Sequence, residues 1–270
     1  MSIARMRAGV VILPNRPWAE ARRDWELAES LGCDHAWTLD HLTMGAYPRA
    51  RWHAAMPTLA AAALATRRMR VGVLVATPNL HHPVALAHEL LTLDGLSGGR
   101  FVAGLGSGGR GPDAIATRSE PLTTRERVAR FEEFIAVLAG MLGGGVAAHR
   151  GRYYEVGRAE LRLRPVAGAL PLVVAATGPR AMRVAARLGA GWVTNCAEHE
   201  LEQQARLFAS VNPGHALDRI LQVGTAWRDT LDSADAFAEL AERAGSLGFT
   251  DLVVPFRGGD PPLRGWLSGR

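Results

Sequence analysis

Short apolar runs alternate with helix-spaced segments from one end of the chain to the other, and this alternation restricts the fold more than any other feature. Gly9–Leu13, His35–Leu39, Arg70–Ala76, Phe101–Leu105, Leu172–Ala176, Trp192–Thr194, Ile220–Ala226 and Thr250–Pro255 read as eight strands. They are short and lack strict polar alternation, as expected of strands buried on both faces. Between them, apolar residues recur at helical spacing, as in Trp18, Ala21, Trp25 and Ala28. Thr123 and Glu126 form a capping box before the helix carrying Val128, Phe131, Ile135 and Leu138. Leu31-Gly32, Leu188-Gly189 and Leu247-Gly248 each close a helix just ahead of a strand. His149–Arg164 alternates instead and reads as a small hairpin insertion.

Repeated βα units with eight strands predict an α/β fold, a parallel TIM-like (β/α)8 barrel, with an open doubly wound sheet as the rival. No Pro- or Ser-rich linker divides the 270 residues, so one domain over 1–270 is expected. The net charge of +5 is carried by Arg alone, scattered and not interleaved with aromatics. That pattern argues against a nucleic-acid groove and is compatible with an anionic ligand. Cys33 and Cys196 show no framework spacing, which reads as a reduced, cytoplasmic setting. No apolar run reaches membrane-spanning length.

A barrel of this kind carries its site at the C-terminal strand ends. The fifth strand runs into Thr177-Gly178, and Pro179 suits the first position of the next helix. Free backbone N–H groups and the positive end of a helix then meet at one place, which is an anion site. Arg180 and Arg183 add charge there. Strand two ends in Asp40-His41, an acid–base candidate, since His titrates near neutral pH and a carboxylate can orient it. A turn Asp beside a packed His is the plain alternative. Gly104-x-Gly106-x-x-Gly109 follows a strand, yet the next helix is expected only near Thr124, which argues against a classical dinucleotide fingerprint. The same loop, with Ser107, offers close backbone access to a flat cofactor. His81, His82 and His88-Glu89 lack zinc-ligand spacing, so no metal is expected, and His81 is kept as a pocket candidate. Cys196 reads as a small buried thiol more readily than as a nucleophile. Asn195 ends strand six. Trp52, in the long Leu42–Met56 loop, is placed to wall a pocket or to anchor the loop.

Several stretches together resemble the luciferase-like monooxygenase superfamily of flavin and deazaflavin enzymes. They are Trp37-Thr38-Leu39-Asp40-His41, His82-Pro83 through Leu93-Asp94-Gly95-Leu96-Ser97-Gly98-Gly99-Arg100-Phe101, Gly104-Leu105-Gly106-Ser107-Gly108, and Ala185-Ala186-Arg187-Leu188-Gly189-Ala190-Gly191-Trp192. The resemblance runs from about Gly9 to about Val254 and implies a bacterial luciferase-like barrel. Ala175-Ala176-Thr177-Gly178-Pro179 looks like the phosphate loop of members using coenzyme F420, and Asp-His after strand two is similar to the same subgroup.

By that resemblance His41 lies near the reacting carbon and Asp40 helps to bind the deazaflavin. A strand-three bulge with a non-proline cis peptide falls near Leu74, Val75 and Ala76, behind the ring. Gly106, Ser107, Ala175, Ala176, Thr177, Gly178 and Arg180 complete the implied cofactor set. The implied activity is hydride transfer between F420 and a small organic substrate. The alternatives are an FMN-dependent monooxygenase, fed by a separate flavin reductase, and a degenerate barrel without catalysis. Family members commonly form homodimers, which sets the expected partner. Two departures stand out. Sugar-phosphate dehydrogenases of this group carry Glu where this chain has Gly109, which puts glucose-6-phosphate oxidation in doubt. The segment after strand eight is short, which implies a reduced or absent last helix and leaves the residues that close the cofactor tail site either missing or supplied by Arg228 and Arg257.

Overall fold

Eight parallel strands close on themselves in the computed structural model, which describes residues 5–45, 49–117, 121–212, 217–224, 227, 231–258 and 261–270. In chain order they are β1 (Arg7–Val11), β2 (His35–Thr38), β3 (Arg70–Ala76), β4 (Phe101–Gly106), β7 (Leu172–Ala175), β8 (Gly191–Thr194), β9 (Arg219–Gln222) and β10 (Asp251–Pro255). Neighbours around the barrel are neighbours in sequence, and β1 pairs with β10 to seal it. The closed barrel leaves no exposed edge, so the doubly wound rival is excluded.

Between β4 and β7 the chain inserts an antiparallel hairpin, β5 (Val146–Arg150) with β6 (Glu155–Glu160). It starts earlier than the alternation predicts. It is anchored by Glu133, which accepts backbone N–H groups from Arg152, Tyr153 and Tyr154 at 2.9–3.3 Å.

The helices are α1 (Trp18–Ser30), α2 (Ala55–Ala65), α3 (Pro83–Ser97), α4 (Pro112–Thr117), α5 (Thr124–Leu142), α6 (Pro179–Leu188), α7 (Leu201–Val211), α8 (Ala234–Ser246) and α9 (Pro261–Ser268). The Thr123–Glu126 capping box is formed as read. The helix expected over Glu198–Ala209 divides into a 3₁₀ turn at Glu198–Glu200 and α7. Strand β9 stops at Gln222, because its pairing with β10 ends there. The last helix is short, with eight residues, and Leu263, Trp266 and Leu267 bury one face. Helix α4 was not anticipated: six residues are too few to show a helical period.

Apolar packing forms two layers. An outer cluster joins strands to helices, and Trp25, Leu59, Phe131, Phe134, Trp192 and Phe208 are among its members. An inner cluster fills the barrel with Val11, Trp37, Leu39, Leu74, Val102, Val173, Val193, Ile220 and Val253. Room for the large rings inside comes from glycine. A Cβ on Gly72 would lie 2.5 Å from the Trp37 ring, and one on Gly9 would lie 2.0 Å from His35.

One polar network is buried at the N-terminal end of the barrel. Arg7 donates to both oxygens of Asp251 at 2.7 and 2.6 Å, and His35 Nε2 lies 2.9 Å from the same carboxylate. Trp37 Nε1 donates to His35 Nδ1 at 2.6 Å. A carboxylate only accepts, so Nε2 carries the ring's proton and Nδ1 is bare. Burial alone would raise the Asp251 carboxyl, but the bonds from Arg7 and His35 outweigh it and hold the group well below the usual carboxylate range.

Replacing Asp251 with Asn is expected to lower the unfolding free energy by about 2 kcal/mol at pH 7, since a buried carboxylate loses its charge-assisted bonds from the half-exposed Arg7 and the buried His35. The folded carboxyl is depressed, so its contribution is complete above the ordinary value of 3.8 and is lost as pH falls through the folded value. Urea titrations at successively lower pH check this. The gap between wild type and Asp251→Asn should narrow only in acid.

Candidate active site

The C-terminal strand ends gather most of the polar groups singled out in the sequence. Asp40 and His41 follow β2, and the structure gives each a different partner. Asp40 Oδ2 lies 2.6 Å from Nε2 of His81, which comes from the loop after β3. His41 Nδ1 lies 2.5 Å from Oδ2 of Asp113, and the Leu42 amide donates to Oδ1 of the same residue at 2.8 Å. Asp40 is therefore not the carboxylate that orients its sequence neighbour. Two carboxylate–imidazole pairs stand at this end instead. Asp113 escaped the sequence analysis because it sits on α4. Its signal was Gly111-Pro112-Asp113, a helix start with an acidic first turn. Gly109 brings no carboxylate, and the chain supplies one four residues later.

Trp52 packs against the inner cluster, and its ring meets His41 edge-on at 6.4 Å. It therefore anchors its loop to the barrel interior beside that imidazole. His82 caps α3 weakly and meets Tyr154 edge-on, and His88 is exposed on α3. Among the described residues no three His, Cys, Asp or Glu side chains converge on a common point. Cys196 is buried, and burial pushes its thiol up, which favours the protonated form.

The bulge in β3 lies where the resemblance put it. The register against β4 slips between Val73 and Ala76, and the Leu74–Val75 peptide is cis. Leu74 and Val75 belong to the barrel interior. Ala76 does not: its side chain packs into the outer layer, fully buried. Past β4, Gly108 has φ +75°, and Asn79 Nδ2 donates to the Gly109 carbonyl at 3.3 Å. Arg130 in turn donates to Asn79 Oδ1, which pins the loops after β3 and β4 together.

On the far side of β4 opens a cleft of about 720 Å³, within the usual range of about 300–1,000 Å³ for cofactor sites. Ser107, Ala175, Ala176, Thr177, Gly178, Arg180 and Asn195 all line it, as expected of a site at these strand ends. Gly178 is the N-cap of α6 with no side-chain cap, and nothing lies within 4 Å of where its Cβ would be. The first amides of α6 thus face open space, and the helix dipole adds a positive field. Arg180 is less free than expected, because Glu132 binds it at 2.5 and 3.1 Å. Arg183 is exposed and is not among the lining residues. Arg125 and Arg127, from the first turn of α5, line the cleft instead and were not foreseen. Nε of Arg127 is buried without a hydrogen-bond partner among the described residues. Of the two arginines proposed to close a tail site, Arg228 lies outside the described residues, and Arg257 lines a separate small cavity beside Trp227.

A phosphate-bearing flavin or deazaflavin fits these groups. An uncapped helix start and the positive charge of Arg125 and Arg127 in the lining suit its phosphate, and the apolar inner wall around Leu74, Val75 and Val193 suits a flat ring.

The family model described as luciferase-like monooxygenase matches residues 4–249. The chain is 36% identical over 197 residues to an F420-dependent glucose-6-phosphate dehydrogenase of Beutenbergia cavernae, covering 72% of this chain and 58% of the relative. It is 32% identical over 254 residues to the 4-hydroxyprotoasukamycin monooxygenase of Streptomyces nodosus subsp. asukaensis, covering 89% and 62%. The chain thus spans about three fifths of the length of these relatives. Among solved structures, an F420-dependent secondary alcohol dehydrogenase in complex with an F420–acetone adduct superposes with a TM-score of 0.80 at 17% identity, covering 97% of both chains. At that identity the likeness concerns the fold.

Gly108→Ala is expected to destabilise the protein by about 1–3 kcal/mol, because the position needs a left-handed backbone. Its Cβ would also lie 2.7 Å from the Asn79 amide. Calorimetry should read a lower melting temperature, and a melting temperature equal to wild type would show that this loop tolerates both insults.

Proposed function

Because the chain belongs to the luciferase-like monooxygenase family, we propose that it is an F420-dependent oxidoreductase moving a hydride between the deazaflavin and a small organic substrate. One observation carries this reading. The uncapped start of α6 opens on a large cleft at the same barrel end as an imidazole held by a carboxylate. F420-dependent relatives support the choice of cofactor.

When bound, the deazaflavin would supply the two-electron hydride chemistry. The chain's residues do the rest. Backbone N–H groups at Gly178 and beyond hold the phosphate, with Arg127 as an additional cation. Leu74, Val75 and Ala175 form an apolar wall that excludes water from one face of the pocket. His41 takes a proton from the substrate hydroxyl in oxidation, or returns one when a C=C or C=N bond is reduced. Asp40 and His81 hold each other beside it and keep that side polar.

A second reading rests on a specific observation. The monooxygenase relative matches a longer stretch, 254 residues, than the dehydrogenase does, 197 residues. The same cleft would then hold FMN, reduced by a separate flavin reductase, for reaction with O₂.

Purified protein should bind F420 at least about tenfold more tightly than FMN, a difference of about 1.4 kcal/mol. Fluorescence titration with each cofactor measures it. Failure to bind either one rejects the proposal, and preference for FMN with oxygen uptake selects the second reading. His41→Ala should cut turnover by about 10²–10⁴-fold while leaving F420 binding within about threefold. Gly178→Asp should act the other way, weakening F420 by at least about tenfold, since it places a carboxylate on the helix start.

A further inference from the structure

We propose that Asp113 is a positioning residue that fixes the tautomer of His41 and presents its Nε2 to the mouth as the proton-exchanging atom. This rests on the reading of His41 as the proton-transfer group.

The argument begins with what a carboxylate can do. An ionised carboxylate has no proton to give, so the contact of 2.5 Å from Asp113 Oδ2 to His41 Nδ1 requires the proton on Nδ1. A neutral ring in that state has a bare Nε2, ready to accept a proton. The ring and the carboxylate are also exposed to different degrees. The His41 side chain is 40% exposed, whereas that of Asp113 is 12% exposed. The ring is the more solvent-exposed partner and the carboxylate the more buried one.

Asp113 is held at two further points. Its Oδ1 takes the Leu42 amide at 2.8 Å, so one carboxylate grips both the ring of His41 and the backbone immediately after it. Its carbonyl accepts from Thr117 Oγ1 at 2.8 Å. The Trp52 ring packs edge-on against the imidazole from another side, with ring centroids 6.4 Å apart. The sequence neighbour Asp40 cannot take this role, because its Oδ2 already sits 2.6 Å from Nε2 of His81.

A purely structural role for Asp113 would consist of holding the Leu42 amide. Asp113→Asn separates the two roles. Asparagine has the same shape, keeps an oxygen for Leu42, and turns an NH₂ group toward His41. Nδ1 must then accept, and the ring's proton moves to Nε2. In ¹⁵N-labelled protein without cofactor, the His41 ring nitrogens, assigned with His41→Gln, should report protonated Nδ1 in wild type and protonated Nε2 in Asp113→Asn. With F420 and a turned-over substrate, kcat of Asp113→Asn should fall by about 10²–10⁴-fold, as expected for the wrong tautomer, with KM within about threefold. Asp113→Glu should restore part of kcat. An unchanged tautomer in Asp113→Asn overturns the proposal. So does a rise in KM with kcat unaltered, which is the signature of a loop anchor. A switched tautomer with wild-type kcat also overturns it. If His41→Ala is silent as well, the assignment of His41 under the proposed function is what fails.

Discussion

The charged seam between β10, β1 and β2 is the interaction on which the rest of this molecule depends. A parallel barrel closes only if its last strand finds its first in the right register, and β10 meets β1 with Arg7 opposite Asp251. Asp251 gathers Arg7, His35 and, through His35, Trp37 into one buried chain of hydrogen bonds across three neighbouring strands. A slip of one residue would turn Asp251 outward and leave His35 without its acceptor inside the barrel. The seam fixes register by making the alternatives expensive. Glycines at positions 9 and 72 belong to the same device, because the rings that complete it fit only where no Cβ stands.

That seam lies at the N-terminal end of the strands, and the groups with chemical potential lie at the other. The division follows from geometry, since loops leaving the C-terminal ends are free to vary once the closed end is fixed. At the open end the polar side chains occur as partnered sets. Asp40 with His81, His41 with Asp113, and Arg180 with Glu132 each satisfy one another before any ligand arrives. Preorganised groups of this kind need little rearrangement when a substrate binds, which is where much of the advantage of a built site lies. The helix start at Gly178 is the contrasting case, with amides left facing the cleft.

Local rules made much of this legible in the sequence. Strand–helix alternation led to the barrel, Thr123 and Glu126 marked a helix start, and Thr177-Gly178-Pro179 marked the cleft. The bulge near Leu74 came from family resemblance, and its residues alone do not announce it. What the sequence hid are contacts across the mouth. His81 meets Asp40 over 41 residues, and Asp113 meets His41 over 72. Adjacent residues such as Asp40 and His41 invite pairing on paper. At the end of a strand, however, successive side chains point in opposite directions, and each finds a partner from a different loop. Ala76 shows the opposite case: simple alternation from Leu74 would turn it inward, and the register slip in β3 places its side chain in the outer layer instead. Arg125 and Arg127 gave no signal because many arginines are scattered along the chain, and only the fold selects two of them.

The segment from Ser107 to Asp113 touches the cleft at one end and the His41 ring at the other. Its length is set by covalent geometry, at most about 3.3–3.6 Å for each residue. It therefore acts as a ruler laid across the mouth. Shortening or lengthening it by one residue would change the span between the cleft and the His41 ring, and with it the size of molecule that can be held between them.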